Sequence, residues 1–399
     1  MDALPLRNIR VLELSQIVAG PSAGLILADM GADVIKVEPP DALEPSRIGT
    51  ARNGSFFFFN RNKRSIVLDL KKAEGVQVFY RLADRADVMV ENMGPGTTDR
   101  LGIGYEQLAQ RNQRIIYCSV KGFLSGPNSE QPSLDELAQM MSGLAYMTGL
   151  QGRPLRAGAS IVDIGAATYA VMGVMGALLE RQQTGKGQKI TGGLFETALF
   201  FVGQHMAGTQ QTGQPPRPMG ERDRGNRMGG GWGVYDLFEC SDGRQVFIGV
   251  TSNAQWKRLC QALHLDDLAE NPDLEDNVGR GRNREVTLPR IEEAARSMDS
   301  RRLVQLMEEN SIPVAPLNTP ATVLEEPHVQ APHRLLHSQG NNVELALPTL
   351  PYESSDYHFS KRHDAPLRPG RDTREILAEA GYSLAEINRL VRADVAKVL

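Results

Sequence analysis

Cysteine is nearly absent from this 399-residue chain: Cys118, Cys240 and Cys260 are its only three. Scattered thiols in that number build neither a disulfide framework nor a four-ligand zinc site, and they fit a reducing compartment. A surplus of one charge is lacking too, since 44 Lys plus Arg against 48 Asp plus Glu leave a formal net charge of −4, which argues against a chain that coats nucleic acid. No apolar run reaches the roughly 20 residues that span a bilayer. One long uncharged stretch, Ile164 to Leu179, has 16 residues with three glycines and reads as a buried helix. Asp2 and Glu13 put acids where a secretory leader tolerates them poorly. The expected location is cytoplasmic, with neither membrane nor nucleic acid as partner.

Several catalytic signatures are also missing. Neither a Gly-x4-Gly-Lys-Ser/Thr phosphate loop nor a Gly-x-Ser-x-Gly elbow occurs, so nucleotide and serine hydrolysis lose their best signals. The turn Ala19-Gly20-Pro21-Ser22-Ala23-Gly24 lacks the close-approach glycine of a dinucleotide fingerprint, which leaves only Glu38, 18 residues beyond Gly20, at the place of a ribose-binding acid. His333 and His337 have helical i, i+4 spacing but no flanking Glu. They read as a solvated pair, and no metal is expected.

What the chain does have is a strand and helix alternation long enough for two units. Ile9 to Leu14 reads as a strand, Pro21 to Met30 as a helix with Pro at its first position, and Asp33 to Glu38 as a second strand, which together make a βαβ unit. Strands at 65–70, 87–91 and 114–120 and helices at 73–85, 105–111, 134–146, 163–182 and 194–210 continue it into a doubly wound, Rossmann-like α/β domain. Residues 211–233, with seven glycines, three prolines and the arginines Arg217, Arg222, Arg224 and Arg227, read as a linker or functional loop. Beyond it, a hairpin turning at Ser241-Asp242-Gly243 and helices near 253–263, 284–298 and 300–310 suggest a smaller α+β domain, 234–329. A strand at 343–347 and helices at 371–380 and 383–396 need a partner surface, and the first sheet is the largest available. The large domain is therefore expected to be discontinuous, 1–210 and 330–399.

Asp163 opens the uncharged run, and two readings of it stand side by side. As an N-cap, its oxygen accepts the orphan amides of the first turn. As a carboxylate at the positive end of a helix dipole, it is a nucleophile toward an activated acyl group. Pattern alone does not separate the two.

A set of ordered motifs bears on that choice. Val11-Leu12-Glu13-Leu14 with Ala19-Gly20-Pro21, Met30-Gly31-Ala32-Asp33-Val34-Ile35-Lys36-Val37-Glu38, Asn62-Lys63-Arg64-Ser65-Ile66-Val67-Leu68-Asp69-Leu70-Lys71, Asp87-Val88-Met89-Val90-Glu91-Asn92, Gly94-Pro95-Gly96 and Arg100-Leu101-Gly102 follow one another. So do Asp135 with Gln139 and Ser142-Gly143, Asp163-Ile164-Gly165, Thr184-Gly185-Lys186-Gly187, and Tyr235 with Asp242-Gly243. In this order they resemble family III CoA-transferases, the CaiB/BaiF family, over nearly the whole chain.

The resemblance implies that Asp163 is the covalent nucleophile of a CoA-transferase, carrying CoA as an aspartyl thioester from an acyl-CoA to a small carboxylic acid. It implies that Arg100 meets CoA phosphates, that Asn92, Met93 and Gly94 run along the CoA moiety beside Val18 and Ala19, and that Leu68, Asp69, Leu70 and Lys71 lie at its adenine end. No tightly bound cofactor is implied, CoA thioesters being substrates, and the implied assembly is an interlocked homodimer. Val18 and Leu134 stand where formyl-CoA transferase has a glutamine and a tyrosine, which argues against formyl or oxalyl specificity. Gly229-Gly230-Gly231 resembles that enzyme's mobile glycine loop, and one of the four arginines beside it would pair with a second carboxylate of the acceptor. The rivals are an acyl-CoA racemase of the same fold, a nicotinamide-dependent oxidoreductase, and a non-catalytic CoA-binding protein. The racemase would need a histidine directly before Asp135, where Leu134 stands, and all seven histidines lie at or beyond His205.

Overall fold

Short, nearly continuous buried runs make the central strands, as expected of a parallel sheet covered on both faces. In chain order these are β1 (Arg10–Leu14), β2 (Asp33–Glu38), β3 (Lys63–Leu68), β4 (Val88–Glu91), β5 (Ile116–Lys121) and β6 (Lys189–Gly193). All pair in parallel in the order β3-β2-β1-β4-β5-β6, and a seventh strand, Ala396–Lys397, closes the β3 edge antiparallel. The helices between them are α1 (Ala19–Asp29), α2 (Asn53–Asn60), α3 (Ala73–Ala83), α4 (Thr97–Arg100), α5 (Tyr105–Arg111), α6 (Asp135–Ser142), α7 (Leu144–Thr148), α8 (Ile161–Thr184) and α9 (Leu194–Phe201). The computed structural model describes residues 4–40, 53–150, 152–219, 231–340 and 343–398.

Alternation along the strands sorts the core. Leu12, Ile35, Ile66 and Met89 face α3 and the C-terminal helices Thr373–Glu379 and Leu384–Arg392. Val11, Val34, Val88, Ile116 and Cys118 face α1 and α8. The chain divides into two compact units, of which this sheet belongs to the first, Met1–Leu144, Ala157–Gly203 and Gln330–Leu399. The second, Ala145–Arg156 and Gln204–Val329, contains a three-stranded antiparallel sheet of β7 (Tyr235–Glu239), β8 (Gln245–Gly249) and β9 (Val314–Pro316). Its turn passes through Gly243 at φ +73°, and Asp242 there accepts the Ser300 hydroxyl at 2.7 Å. Phe238, Val246, Ile248, Trp256, Leu259 and Ile291 fill its core.

Polar residues inside the large sheet have partners across strands. Glu13 on β1 takes the Lys36 ammonium at 3.1 Å and that of Lys63 at 2.7 Å, all three buried. Each charge alone would cost several kcal/mol to bury, about as much as mutual neutralisation recovers. Gly24 of α1 makes room for the cluster, because a Cβ there would lie 1.7 Å from Glu13 Oε2. Asp29 is held likewise by Arg61 at 2.7 Å.

Several expectations fail on identifiable grounds. The helix over 134–146 breaks into α6 and α7 at Gly143, whose φ of +86° leaves the right-handed region. Likewise, 194–210 divides into α9 and a helix Gly203–Thr212. The strand Val343–Pro348 does not join the large sheet. It pairs antiparallel with Leu335–Gly340 instead, a hairpin that satisfies its backbone locally. His337 therefore lies on a strand, paired with Glu344 at 2.9 Å, while His333 has φ +66° and stacks on His358, so the two do not share a helix face. The run Ile164 to Leu179 is helical but buried on one face only. Ala166, Ala170 and Val174 are in the core, whereas Tyr169, Met172 and Leu179 are exposed. By length and composition α8 would suit a membrane span, but its small-residue face is packed against α1 and the sheet.

Candidate active site

In open parallel sheets the crevice for a ligand lies beyond the carboxyl ends of the strands, where the strand order reverses. Here that point is between β1 and β4. Beyond β1 the chain turns through Ile17, a β-branched residue at φ +68°, which is a strained conformation held only where its surroundings enforce it. Beyond β4 comes Asn92, whose side-chain oxygen accepts the Gln16 N–H at 2.9 Å and whose amide donates to the Gln16 carbonyl at 3.0 Å. This two-way pairing ties the walls of the crevice together. Gly20 permits it, because a Cβ there would lie 2.4 Å from Ser15 Cβ and 2.8 Å from the Asn92 side chain.

The β4 wall is built on the buried Glu91. Its carboxylate accepts the Ser119 hydroxyl, the Met93 N–H at 2.9 Å and the Lys121 ammonium at 2.8 Å, while Lys121 also donates to the Met93 carbonyl at 2.6 Å. The loop Asn92 to Gly94 is thus fixed by charge-assisted bonds together with the packing of Met93 against the core.

Between these walls lies a cavity of about 290 Å³. It is lined by Val18, Ala19, Asn92, Met93, Gly94 and Asp163 from the expected set, together with Gln16, Ile17, Lys121, Ser133 and Asp135.

The local structure decides between the two readings of Asp163 as far as capping goes. Helix α8 starts at Ile161, so Asp163 belongs to its first turn, and the N-cap position falls to Ser160, whose side chain makes no capping bond. The cap comes from α6. Asp135 Oδ2 accepts the N–H of Val162 at 2.9 Å and that of Asp163 at 3.1 Å. Its other oxygen accepts Gln139 Nε2 at 2.6 Å, one helical turn along, and the Gln139 oxygen accepts the Ala157 N–H at 2.9 Å. The N-cap reading of Asp163 is corrected accordingly: a remote buried carboxylate satisfies the amides, and Asp163 borders the cavity at the end of a helix that favours negative charge.

Other expected contacts lie outside the cavity. Leu68 and Leu70 bury their side chains in the core, leaving Asp69 and Lys71 as the polar members of that segment at the carboxyl end of β3. Arg100 is exposed and folds back on its own loop, donating to the Pro95 carbonyl at 3.3 Å and to Thr97 Oγ1 at 2.9 Å; Pro95 in turn borders the cavity. Arg222, Arg224, Arg227, Gly229 and Gly230 lie outside the described residues. Glu38 is buried and accepts the Ser65 hydroxyl at 2.5 Å, which occupies the acid that a dinucleotide ribose would require.

The thiols offer no rival nucleophile. Burial pushes Cys118 and Cys260 up to about 12 and Cys240 up to about 11, so each stays protonated near neutrality. Among the described residues no group of three His, Cys, Asp or Glu side chains is placed to hold a metal ion. Sequence reasoning missed Ile17, Lys121 and Ser133, and quoted Asp135 without a role. Only the acid at 135 carried a legible signal, in its i, i+4 spacing to Gln139.

Comparison with known proteins agrees with this geometry. The model of the family described as CoA-transferase family III matches residues 6–373. A succinyl-CoA:glutarate CoA-transferase of Homo sapiens is 31% identical over 98% of this chain and 90% of its own. A succinyl-CoA:mesaconate CoA-transferase of Haloarcula marismortui is 32% identical over 94% of this chain and 96% of its own. A crystal structure of a CaiB/BaiF family protein from Brucella suis superimposes with a TM-score of 0.85 at 30% identity, covering 95% of this chain and all of that one.

Proposed function

The chain belongs to CoA-transferase family III, and from that premise we propose that it passes CoA between small carboxylic acids through a covalent thioester on Asp163. The observation that carries the reading is that Asp163 lines the crevice, with its own N–H held by Asp135. An Asp163 oxygen attacks the thioester carbonyl of the donor, forming a mixed anhydride and releasing CoA thiolate. The thiolate attacks the Asp163 carbonyl, giving aspartyl-CoA and freeing the donor acid. The acceptor carboxylate then attacks that thioester, CoA thiolate leaves again, and its attack on the new anhydride yields the acceptor thioester and restores the Asp163 carboxylate. One thioester replaces another at nearly equal free energy, so no nucleotide hydrolysis is coupled.

In this reading the CoA thioester runs along Val18, Ala19, Met93 and Gly94, with Asn92 bracing the wall. Arg100 meets the phosphates, and Asp69 and Lys71, beside the buried Leu68 and Leu70, border the adenine. Free, buried cysteines support a reducing, cytoplasmic setting. The racemase and oxidoreductase readings gain nothing: Leu134 brings no imidazole, and Glu38 is engaged by Ser65.

The acceptor class comes from the relatives, whose names pair succinyl-CoA with glutarate and with mesaconate, acids that each have two carboxyl groups. Incubation with succinyl-CoA and a panel of acids, followed by mass spectrometry of the CoA esters, tests this. A dicarboxylate should give a new thioester faster than the monocarboxylate of equal length. Appearance of no new ester with any acid would refute the transfer.

Assembly as a homodimer is supported by the apolar side of α8 and α9, where Met172 is 62% and Phe200 69% exposed beside Tyr169 and Leu179. Sedimentation at micromolar concentration should return twice the chain mass, and a monomer would remove the proposal.

A further inference from the structure

We propose that the buried ammonium groups of Lys36 and Lys63 position the CoA-binding wall, holding residues 16–19 in the strained conformation that the thioester meets, an inference that rests on this wall being the path of the thioester. Gln16, Ile17, Val18 and Ala19 all line the cavity. The segment does not hold its shape by itself: Ile17 is β-branched and sits at φ +68°, and Val18, the residue before α1, makes no side-chain capping bond. Such a conformation persists only where its neighbours over-determine it.

Two of those neighbours are the lysines. Lys36 on β2 donates to the Ser15 carbonyl at 2.8 Å, directly before the lining segment, and Lys63 on β3 donates to the Pro21 carbonyl at 2.9 Å, just after it. Glu13 on β1 holds both cations, at 3.1 and 2.7 Å, and also accepts the Ser15 hydroxyl at 2.8 Å. The charge cluster therefore grips the chain on either side of the strained residue. Asn92 grips Gln16 separately, from the β4 side.

Stability of the sheet does not require this arrangement. Glu13, Lys36 and Lys63 are all buried, and apolar residues of like volume commonly replace a buried ion cluster at equal or better stability. What apolar residues lack is a donor for the two carbonyls. A charged donor makes a shorter and stronger hydrogen bond than a neutral one, so each ammonium fixes the carbonyl it meets. A wall fixed before the ligand arrives spares the ordering cost that binding would otherwise carry. Asp163 stands on a different element, α8, with its N–H held by Asp135. Loss of the lysine tethers should therefore fall on CoA binding and leave the chemical step alone.

Lys36→Met and Lys63→Met each replace an ammonium by an apolar group of similar length, and each leaves Glu13 paired with the other lysine. Their thermal midpoints should stay near that of the wild type. The calorimetric Kd for free CoA and the KM for succinyl-CoA should rise at least about tenfold, with kcat within about twofold of wild type. The strain at residue 17 supplies a second readout. Glycine adopts a positive φ freely, so in an Ile17→Gly background the same two substitutions should raise the Kd by less than about threefold. A merely structural cluster would lower the midpoint and leave Kd and KM unmoved in both backgrounds. Unchanged CoA affinity in both variants would overturn the proposal, as would an equal loss with and without Ile17→Gly, or a failure of both variants to fold. Where one variant alone fails to fold, the other decides. The underlying reading fails differently: a wild-type protein that neither binds CoA nor exchanges it removes the site, whereas wild-type binding and exchange left intact by Lys36→Met and Lys63→Met remove only this proposal.

Discussion

Replacing Asp163 with alanine should reduce CoA exchange by at least about 10⁴-fold, the scale seen when a covalent nucleophile is deleted and only binding remains. The residue occupies the first turn of α8, a half-buried position where alanine is well tolerated by a helix, and where the lost dipole interaction is worth roughly 0.3–1 kcal/mol. The variant should therefore fold, and it should still bind CoA, because Val18, Met93 and Gly94 along the wall are untouched. Steady-state exchange, thermal denaturation and calorimetry with CoA check the three parts separately. Loss of activity together with loss of folding would show a structural residue, and retained exchange would end the assignment.

The second large effect is expected at Asp135, a positioning residue that acts through Asp163. Its carboxylate holds the N–H groups of Val162 and Asp163 and is itself held by Gln139. Asp135→Ala frees two amides at the start of α8, at a stability loss of about 0.5–2 kcal/mol for the cap alone. It also lets the first turn shift, and a misplacement of the nucleophile near 1 Å lowers the rate about 10²-fold. Asp135→Asn retains an oxygen for the amides, but its NH2 then meets the Gln139 NH2, which cannot turn without losing the Ala157 N–H. It should keep the fold and an intermediate rate. The KM for acyl-CoA should stay near wild type in both variants, so that the loss appears in kcat. A wild-type kcat in Asp135→Ala would show that the held amide does not position the nucleophile.

The fold was largely legible because β1 to β5 are short, mostly apolar runs bounded by turns and α1, α3 and α5 carry clear boundaries. What escaped had weak local signals. Strand β6 is an edge strand of sequence Lys-Ile-Thr-Gly-Gly with its first half exposed, so it shows no buried run. The hairpin at 335–348 was half missed because Leu335 to Gly340 mixes polar and apolar residues and reads as ordinary coil. Glu13, Lys36 and Lys63 interrupt apolar strands, and their mutual neutralisation depends on a register that the sequence does not print.

Of the cavity's lining, Asp163 and Asn92 to Gly94 were legible, because resemblance to a family pointed to them. Its supporting residues were not. Asp135 caps a helix that begins 26 residues later, and no local capping pattern reveals a cap donated from another helix.

The central claim, that Asp163 becomes acylated and then carries CoA, is tested most directly by trapping. The protein is mixed with succinyl-CoA, quenched with hydroxylamine during turnover, digested and sequenced by mass spectrometry. The account predicts a hydroxamate on Asp163 alone, formed only when the acyl-CoA is present and lost in Asp163→Ala. A hydroxamate on Asp135, Glu91 or any other carboxylate, or continued turnover with Asp163 unmodified, would contradict it.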